Sequence, residues 1–129
     1  MFRRKLLALV GVLLVGLLTA VPASAQSNTV SVTDLRLAPG STVCLTPLTA
    51  YNSATAQGIA NNAGANFVLY NGAVNATNPI YTALNSNGFY VTFSSSFPQG
   101  ATIPGKFKLC ATNPSSTNNT RISMSLSVS

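Results

Sequence analysis

The chain has 129 residues and carries seven Lys and Arg against a single acidic residue, with no His. A mechanism that needs two carboxylates cannot operate within one such chain, and neither can a Ser-His-Asp or Cys-His arrangement. A metal site is excluded for a similar reason, since two thiols alone rarely hold zinc. The composition therefore predicts a protein that is not an enzyme and that needs no cofactor or metal.

The beginning of the chain has the three parts of a secretory signal peptide. Residues 1–5 are short and basic, residues 6–18 form an apolar run, and Ala23 and Ala25 supply small side chains at the −3 and −1 positions. We expect cleavage after Ala25, which leaves 26–129 as a single domain. The alternative is an uncleaved membrane anchor, because the apolar run approaches the length of a short span.

Removal of the signal peptide would lower the charge of the chain. Three of the cations lie in 1–5, so the mature chain would keep four cations and Asp34, for a net charge of +3. Four scattered cations do not form the clustered stripe that nucleic acid requires. We expect a secreted, periplasmic or cell-surface protein, with no nucleic-acid partner and no membrane insertion after signal removal.

Two lysines lie close together, at positions 106 and 108. Their spacing places both on one face of a strand, where they would remain solvated and discourage edge-to-edge pairing. A Ser-Lys dyad is formally available, but a polar strand face lacks the apolar surroundings that turn lysine into a base. The lysines therefore do not change the prediction of a non-catalytic protein.

The cysteines, Cys44 and Cys110, are the only two in the chain, and two cysteines in an exported chain usually pair. Each lies in a strand-like segment, 41–46 or 106–112, and each falls on the polar phase of that segment. We therefore expect an outward-facing disulfide between neighbouring strands of one sheet, not a bridge through the core. A bulge that re-aims one cysteine is the alternative.

The first half of the mature chain contains one irregular strand and one featureless segment. Residues 30–37 change their apolar phase part-way, which predicts a bulge near Thr33-Asp34. Pro39-Gly40 is typical of a type II turn. Residues 48–65 are small or amide-bearing with little apolar periodicity, so we predict a long surface excursion there, with at most one helical turn.

The second half contains clearer strands. Residues 67–70 are apolar on both phases, as in a central strand, and residues 121–128 alternate between apolar and polar without error. Asn71-Gly72 predicts a type I′ hairpin turn with a return strand at 73–76. A second hairpin is predicted around residues 85–88, between strands at 80–84 and 89–93.

About seven or eight short strands separated by turn signals, with no convincing helix, predict an all-β fold. We expect a small antiparallel β-sandwich that is immunoglobulin-like in the broad sense. A jelly roll or a small barrel is the alternative. The buried Trp of true immunoglobulin domains is missing, because the chain has no Trp.

The functions that remain are non-catalytic. We predict a structural or adhesive domain that binds a protein or a glycan at the cell surface, with Tyr51, Tyr81 and Tyr90 as possible contact residues. One alternative is a fibre subunit that self-associates when its alternating terminal strand adds to a neighbour's sheet. Another is a carbohydrate-binding module, which the absence of Trp and the scarcity of acidic residues disfavour.

Overall fold

The computed structural model describes residues 27–62, 64–72, 79–94 and 101–129. The predicted signal peptide, its cleavage site after Ala25 and the predicted return strand 73–76 lie outside these residues. Within the described residues no helix has the length and apolar character to cross a membrane. These residues form nine strands: β1 (Asn28–Leu37), β2 (Thr42–Cys44), β3 (Leu48–Ala50), β4 (Ser53–Ala60), β5 (Ala65–Asn71), β6 (Pro79–Ser86), β7 (Gly88–Ser94), β8 (Gly105–Thr112) and β9 (Thr120–Val128).

The strands form two antiparallel sheets. The four-stranded sheet has the order β1-β9-β4-β7. The five-stranded sheet has the order β2-β8-β5-β6, and β3 pairs with β8 as well. The prediction of an all-β antiparallel sandwich is thus confirmed, with nine strands in the described part of the chain.

The core lies between the two sheets and is built from the inward-facing residues of the central strands. Phe67 in β5, Phe107 and Leu109 in β8, and Ile122 and Leu126 in β9 are all buried. Burial of each such side chain contributes about 1.5–3 kcal/mol. The predicted alternation of residues 121–128 is confirmed, since every second side chain of β9 is buried and the others are not.

The predicted surface excursion over residues 48–65 is wrong. This stretch forms β3 and β4, and β4 is an interior strand that pairs with both β7 and β9. Its inward residues are Ala54, Ala56 and Gly58, whose small size conceals the alternation. Small residues suffice because aromatic rings fill the space: a Cβ on Gly58 would lie 2.7 Å from the rings of Phe67 and Phe89.

The two predicted hairpins are not formed as expected. Asn71 stays within β5, opposite Phe107, so it does not open a two-residue turn. Its side chain donates instead to the carbonyl oxygen of Lys106, at 2.9 Å. Strands β6 and β7 belong to different sheets, so the 85–88 region carries the chain from one sheet to the other. Turn-forming residues in the sequence therefore do not distinguish a tight hairpin from a longer connection or from a crossing between sheets.

The irregularity predicted in the first strand is confirmed. The pairing of β1 with β9 shifts between Val32 and Leu35, and Asp34 has a positive φ of 53°. The following turn is also confirmed: Gly40 has a φ of +74°, and the Ser41 N–H donates to the Ala38 carbonyl at 3.1 Å. The bulge lets both halves of β1 place apolar side chains in the core.

The disulfide joins Cys44 and Cys110, as predicted. The two residues are directly opposite each other on β2 and β8, and Cys44 is exposed on the outer face of the five-stranded sheet. Cys110 is buried, because β8 has β2 on one side and β5 on the other. The prediction of a bridge between neighbouring strands of one sheet is confirmed.

Both strands that the sequence linked to sheet edges are interior. Strand β9 lies between β1 and β4, so both of its hydrogen-bonding edges are occupied within this chain. Strand β8, which carries Lys106 and Lys108, is also interior. The two lysines therefore do not protect an edge; they lie on the outer face of the five-stranded sheet.

Candidate functional site

The three tyrosines named from the sequence do not form one surface. Tyr51 is exposed in the turn between β3 and β4, and Tyr90 is exposed on the outer face of β7. Tyr81 points toward the interior, where its ring stacks on Phe89 at 5.7 Å between centroids. Of the three, only Tyr90 lies on a sheet face that is open to a partner.

That face is the outer side of the four-stranded sheet, and paired residues form rows across it, of which three lie next to Arg121, Ile59 and Gln57. Arg36 is opposite Arg121 in the first row. Ser123, Ile59 and Gly88 follow one another across the second. The third row consists of Ser31, Ser125, Gln57 and Tyr90.

The bulge in β1 shapes one side of this face. It brings the Asp34 N–H to the Ser123 hydroxyl oxygen at 2.9 Å, and the Asp34 carboxylate to Arg121 at 3.1 Å. Both members of the ion pair remain exposed. Bulges often re-aim side chains next to functional sites. Here the bulge places the Asp34 carboxylate beside Arg121, so this side of the face carries an ion pair.

A depression runs across the middle of the face, because several of its residues are too small to fill it. It has a volume of about 320 Å³, and an adjoining depression of about 190 Å³ extends it toward Arg121. We call the two together the outer groove. Its lining includes Ser31, Thr33, Asp34, Gln57, Ile59, Arg121, Ser123 and Ser125.

Hydrogen bonds between strands hold several polar side chains of this face in place. The Gln57 amide donates to the Ser125 hydroxyl oxygen at 3.1 Å. The hydroxyls of Thr55 and Thr92 lie 3.1 Å apart, within hydrogen-bonding distance. Such cross-strand pairs order the side chains before any partner arrives, which lowers the entropic cost of binding.

Ile59 lines the groove and Tyr90 lies beside it on β7, and both side chains are largely exposed, with exposed fractions of 63% and 68%. They are diagonal neighbours on adjacent strands, since Ile59 is opposite Gly88 and Tyr90 lies two residues further along. The missing side chain of Gly88 leaves Ile59 uncovered on that side. The two side chains therefore offer apolar area that the fold itself does not bury.

The groups that line the groove are of the kinds that bind another molecule. Among the described residues, no group of three or more His, Cys, Asp or Glu side chains could hold a metal ion. Both cysteines are in the disulfide, and the Asp34 carboxylate is engaged by Arg121. Hydroxyl, amide, guanidinium and apolar groups remain at the groove, and these recognise a surface by hydrogen bonds, charge and packing.

The sequence did not indicate Ile59, Gln57, Arg36 or Arg121 as site residues. The first two fell in the supposed excursion, where the alternation of small inward residues with larger outward ones over 53–60 was the available signal. The arginines come together only through the register of β1 with β9. No local pattern indicates that pairing.

No protein-family model matches the chain, and no curated protein matches it significantly. Among solved structures, it is similar to Aeromonas hydrophila PliG, a periplasmic lysozyme inhibitor of g-type lysozyme. The likeness is one of fold. It has a TM-score of 0.50 at 14% identity and covers 84% of this chain and 91% of that one. The β-sandwich arrangement is therefore shared along most of both chains.

Proposed function

We propose that this chain is an exported, non-catalytic domain that binds another protein through the outer face of its four-stranded sheet. The observation that carries the proposal is the pair of exposed side chains, Ile59 and Tyr90, beside a groove whose polar groups are already ordered. Export is supported by the signal-like segment 1–25 and by the disulfide, which is typical of oxidising compartments.

The energetics favour a protein partner at this face. Complete burial of Ile59 would contribute about 1.5–3 kcal/mol. Tyr and Arg are enriched among the residues that dominate protein interfaces, and Tyr90 and Arg121 flank Ile59 on either side. An apolar centre bordered by polar and charged groups is the usual organisation of a binding surface between proteins.

The fold comparison supports the same class of function. PliG is described as a periplasmic inhibitor of a lysozyme, so a sandwich of this kind can serve as a protein-binding domain outside the cytoplasm. A g-type lysozyme is therefore a rational first partner to test. The proposal is wider than that one partner, because the likeness concerns the fold.

The two alternative functions gain no support from the described residues. Carbohydrate binding through stacked tyrosines would need Tyr51, Tyr81 and Tyr90 to lie together, and they do not. Fibre assembly through the terminal strand would need a free edge on β9, and both edges are paired. Carbohydrate binding remains an outcome that the experiment below can detect.

The test compares two double variants with matched exposure. Ile59→Ser/Tyr90→Ser removes the two large exposed apolar side chains of the four-stranded face, and Leu84→Ser/Tyr51→Ser removes two exposed groups elsewhere. Binding of each purified protein to g-type lysozymes and to a panel of exported proteins is measured by biosensor. We expect at least one protein to bind, with a loss of about tenfold or more for the groove variant alone.

A glycan array serves as the second arm of this experiment. Retention of the chain on glycans, together with no binding to any protein of the panel, would contradict the proposal. Equal losses for the two double variants would also contradict it, because the partner would then not distinguish the outer groove from the rest of the surface.

A further inference from the structure

We infer that the partner presents an acidic, extended segment to the outer groove. Its carboxylate docks between Arg36 and Arg121, and an apolar side chain two residues away packs on Ile59. This inference rests on the proposed function, since it names the chemistry that the same face would recognise.

The first observation is an incompletely neutralised pair of cations. Arg36 and Arg121 are directly opposite each other on β1 and β9, an arrangement in which like charges repel. Asp34 contacts Arg121 through one guanidinium nitrogen, at 3.1 Å. In the described part of the chain, Arg36 has no ion-pair or side-chain hydrogen-bond partner. A carboxylate from a binding partner would therefore relieve the repulsion between Arg36 and Arg121.

The second observation is that this position is accessible to a partner's carboxylate. The side chain of Arg121 is 53% exposed, and Arg36 is exposed as well. Arginine presents several N–H donors in a planar fork and binds carboxylates through paired hydrogen bonds. Because Asp34 uses only one contact on Arg121, donors remain free for a second carboxylate.

The third observation is the spacing between charge and apolar side chain. Ile59 is opposite Ser123 on β9, and Arg121 is two residues from Ser123, so Ile59 and Arg121 are diagonal neighbours. Such positions lie about 7–8 Å apart. In an extended peptide, side chains two residues apart lie about 6.8 Å apart on the same side. An acidic residue and an apolar residue at that spacing therefore match the two positions together.

Charge complementarity selects an acidic segment over a neutral or basic one. Outside the predicted signal peptide the chain has four cations and one carboxylate, and that carboxylate is already paired within this row. The chain as a whole therefore attracts an acidic partner, and the arginine row supplies the place where the partner's charge can be bound.

The test uses a synthetic peptide, acetylated and amidated, of sequence Gly-Ser-Asp-Ser-Leu-Ser-Gly. A second peptide carries Asn in place of Asp, and a third carries Ser in place of Leu. Each is titrated at low ionic strength into ¹⁵N-labelled protein purified after export, and backbone amide shifts are recorded. We expect the first peptide to shift the amides of Arg36, Ile59, Arg121 and Ser123 at lower concentration than either control.

Three charge variants sharpen the experiment. Arg36→Gln should weaken binding of the Asp peptide by about two- to fivefold, which is the range for an exposed charge pair. Asp34→Asn should strengthen it by a similar factor, because it removes the carboxylate that competes for Arg121 and because Asn tolerates a positive φ. Lys106→Gln removes the same charge from the opposite sheet and should weaken binding by less than Arg36→Gln does, because it affects only the long-range attraction.

Several results would overturn the inference. Equal binding of the Asp and Asn peptides would do so, as would shifts centred on Lys106, or an absence of shifts at millimolar peptide. Tighter binding of oligogalacturonate at the same amides would identify an anionic glycan as the occupant. Sedimentation showing self-association that Arg36→Gln abolishes would identify a second copy of the chain.

The proposed function can survive these failures. If Ile59→Ser/Tyr90→Ser abolishes binding of a protein partner while Arg36→Gln and Asp34→Asn leave it unchanged, the groove binds proteins without using the arginine row. If neither set of variants affects binding of that partner, the proposed binding face is wrong as well.

Discussion

The two outer faces of this sandwich differ in how their side chains are occupied. On the five-stranded sheet, the disulfide covers the β2-β8 pair, the Lys108 ammonium lies 4.8 Å from the centre of the Tyr70 ring, and the hydroxyls of Thr42 and Thr112 meet at 2.7 Å. On the four-stranded sheet, small residues surround Ile59 and leave a groove. The first face is thus largely occupied by its own contacts, although Leu84 and Lys106 stay exposed on it, whereas the second has apolar and cationic groups beside a groove.

This difference suggests a division of roles within one fold. The five-stranded face contributes to stability through a covalent bond and internal contacts. The four-stranded face contributes little to stability through its exposed side chains, and we assign binding to it. Variants that separate stability from binding therefore test the comparison directly.

The largest expected effect on the free energy of unfolding comes from removing the disulfide. Cys44→Ala/Cys110→Ala should lower the free energy of unfolding by about 2–4 kcal/mol, because the bond closes a long loop in the unfolded chain. Urea denaturation followed by circular dichroism measures the change. Binding at the outer groove should be retained wherever the variant is folded, and a loss of binding by folded protein would show that the two faces are coupled.

The next effect in size concerns the strand beneath the groove. Gly58→Ala would place a Cβ 2.7 Å from the rings of Phe67 and Phe89, and Phe67 is fully buried and cannot move aside freely. We expect a loss of about 1–3 kcal/mol in the free energy of unfolding, as for other overpacked cores. Thermal denaturation measures it, with Gln57→Ala as the control at the neighbouring exposed position.

Gly58→Ala also links the core to the groove. A shift of β4 to accommodate the new methyl group would move Ile59, so this variant should lose binding as well as stability. Unchanged denaturation would contradict the tight packing of the two rings against the β4 backbone.

A smaller effect is expected on the five-stranded face. Lys108→Gln removes the cation that lies over Tyr70 and should lower the free energy of unfolding by about 0.5–1 kcal/mol. Lys106→Gln is the matched control, two residues away on the same strand face, and should change the free energy of unfolding by less. Urea midpoints compare the two variants, and equal midpoints would count against the ring contact.

The smallest effect on stability should come from the ion pair at the groove. Asp34→Asn breaks the contact with Arg121, but exposed pairs contribute only about 0–1 kcal/mol. The free energy of unfolding should therefore change little, while binding of the acidic peptide should increase. A large destabilisation would mean that this row serves the fold and not a partner.

The sequence predicted the strands in which large apolar side chains alternate with polar ones. The terminal strand, the central strand at Phe67, the bulge before Leu35 and the geometry of the disulfide all followed from the phase of side chains. Strand β4 was missed because Ala54, Ala56 and Gly58 carry almost no hydropathy contrast. Their role depends on rings from other strands, which no local window contains.

The candidate site was less predictable than the fold. Tyr90 was one of the three tyrosines named from the sequence, but Ile59 lay in a stretch assigned to a surface excursion. The neighbourhood of Arg36 and Arg121 requires the pairing of the first and last strands across the bulge. Long-range register, and not composition, therefore creates the groove.

The central claim is that a protein partner contacts the four-stranded face, and site-specific photo-crosslinking tests it most directly. A photoreactive amino acid replaces Ile59 in one protein and Leu84 in another, two aliphatic positions with exposed fractions of 63% and 65% on different sheets. We predict a crosslinked protein adduct from position 59 and little or none from position 84. Adducts of equal yield from both positions, or from position 84 alone, would contradict the claim.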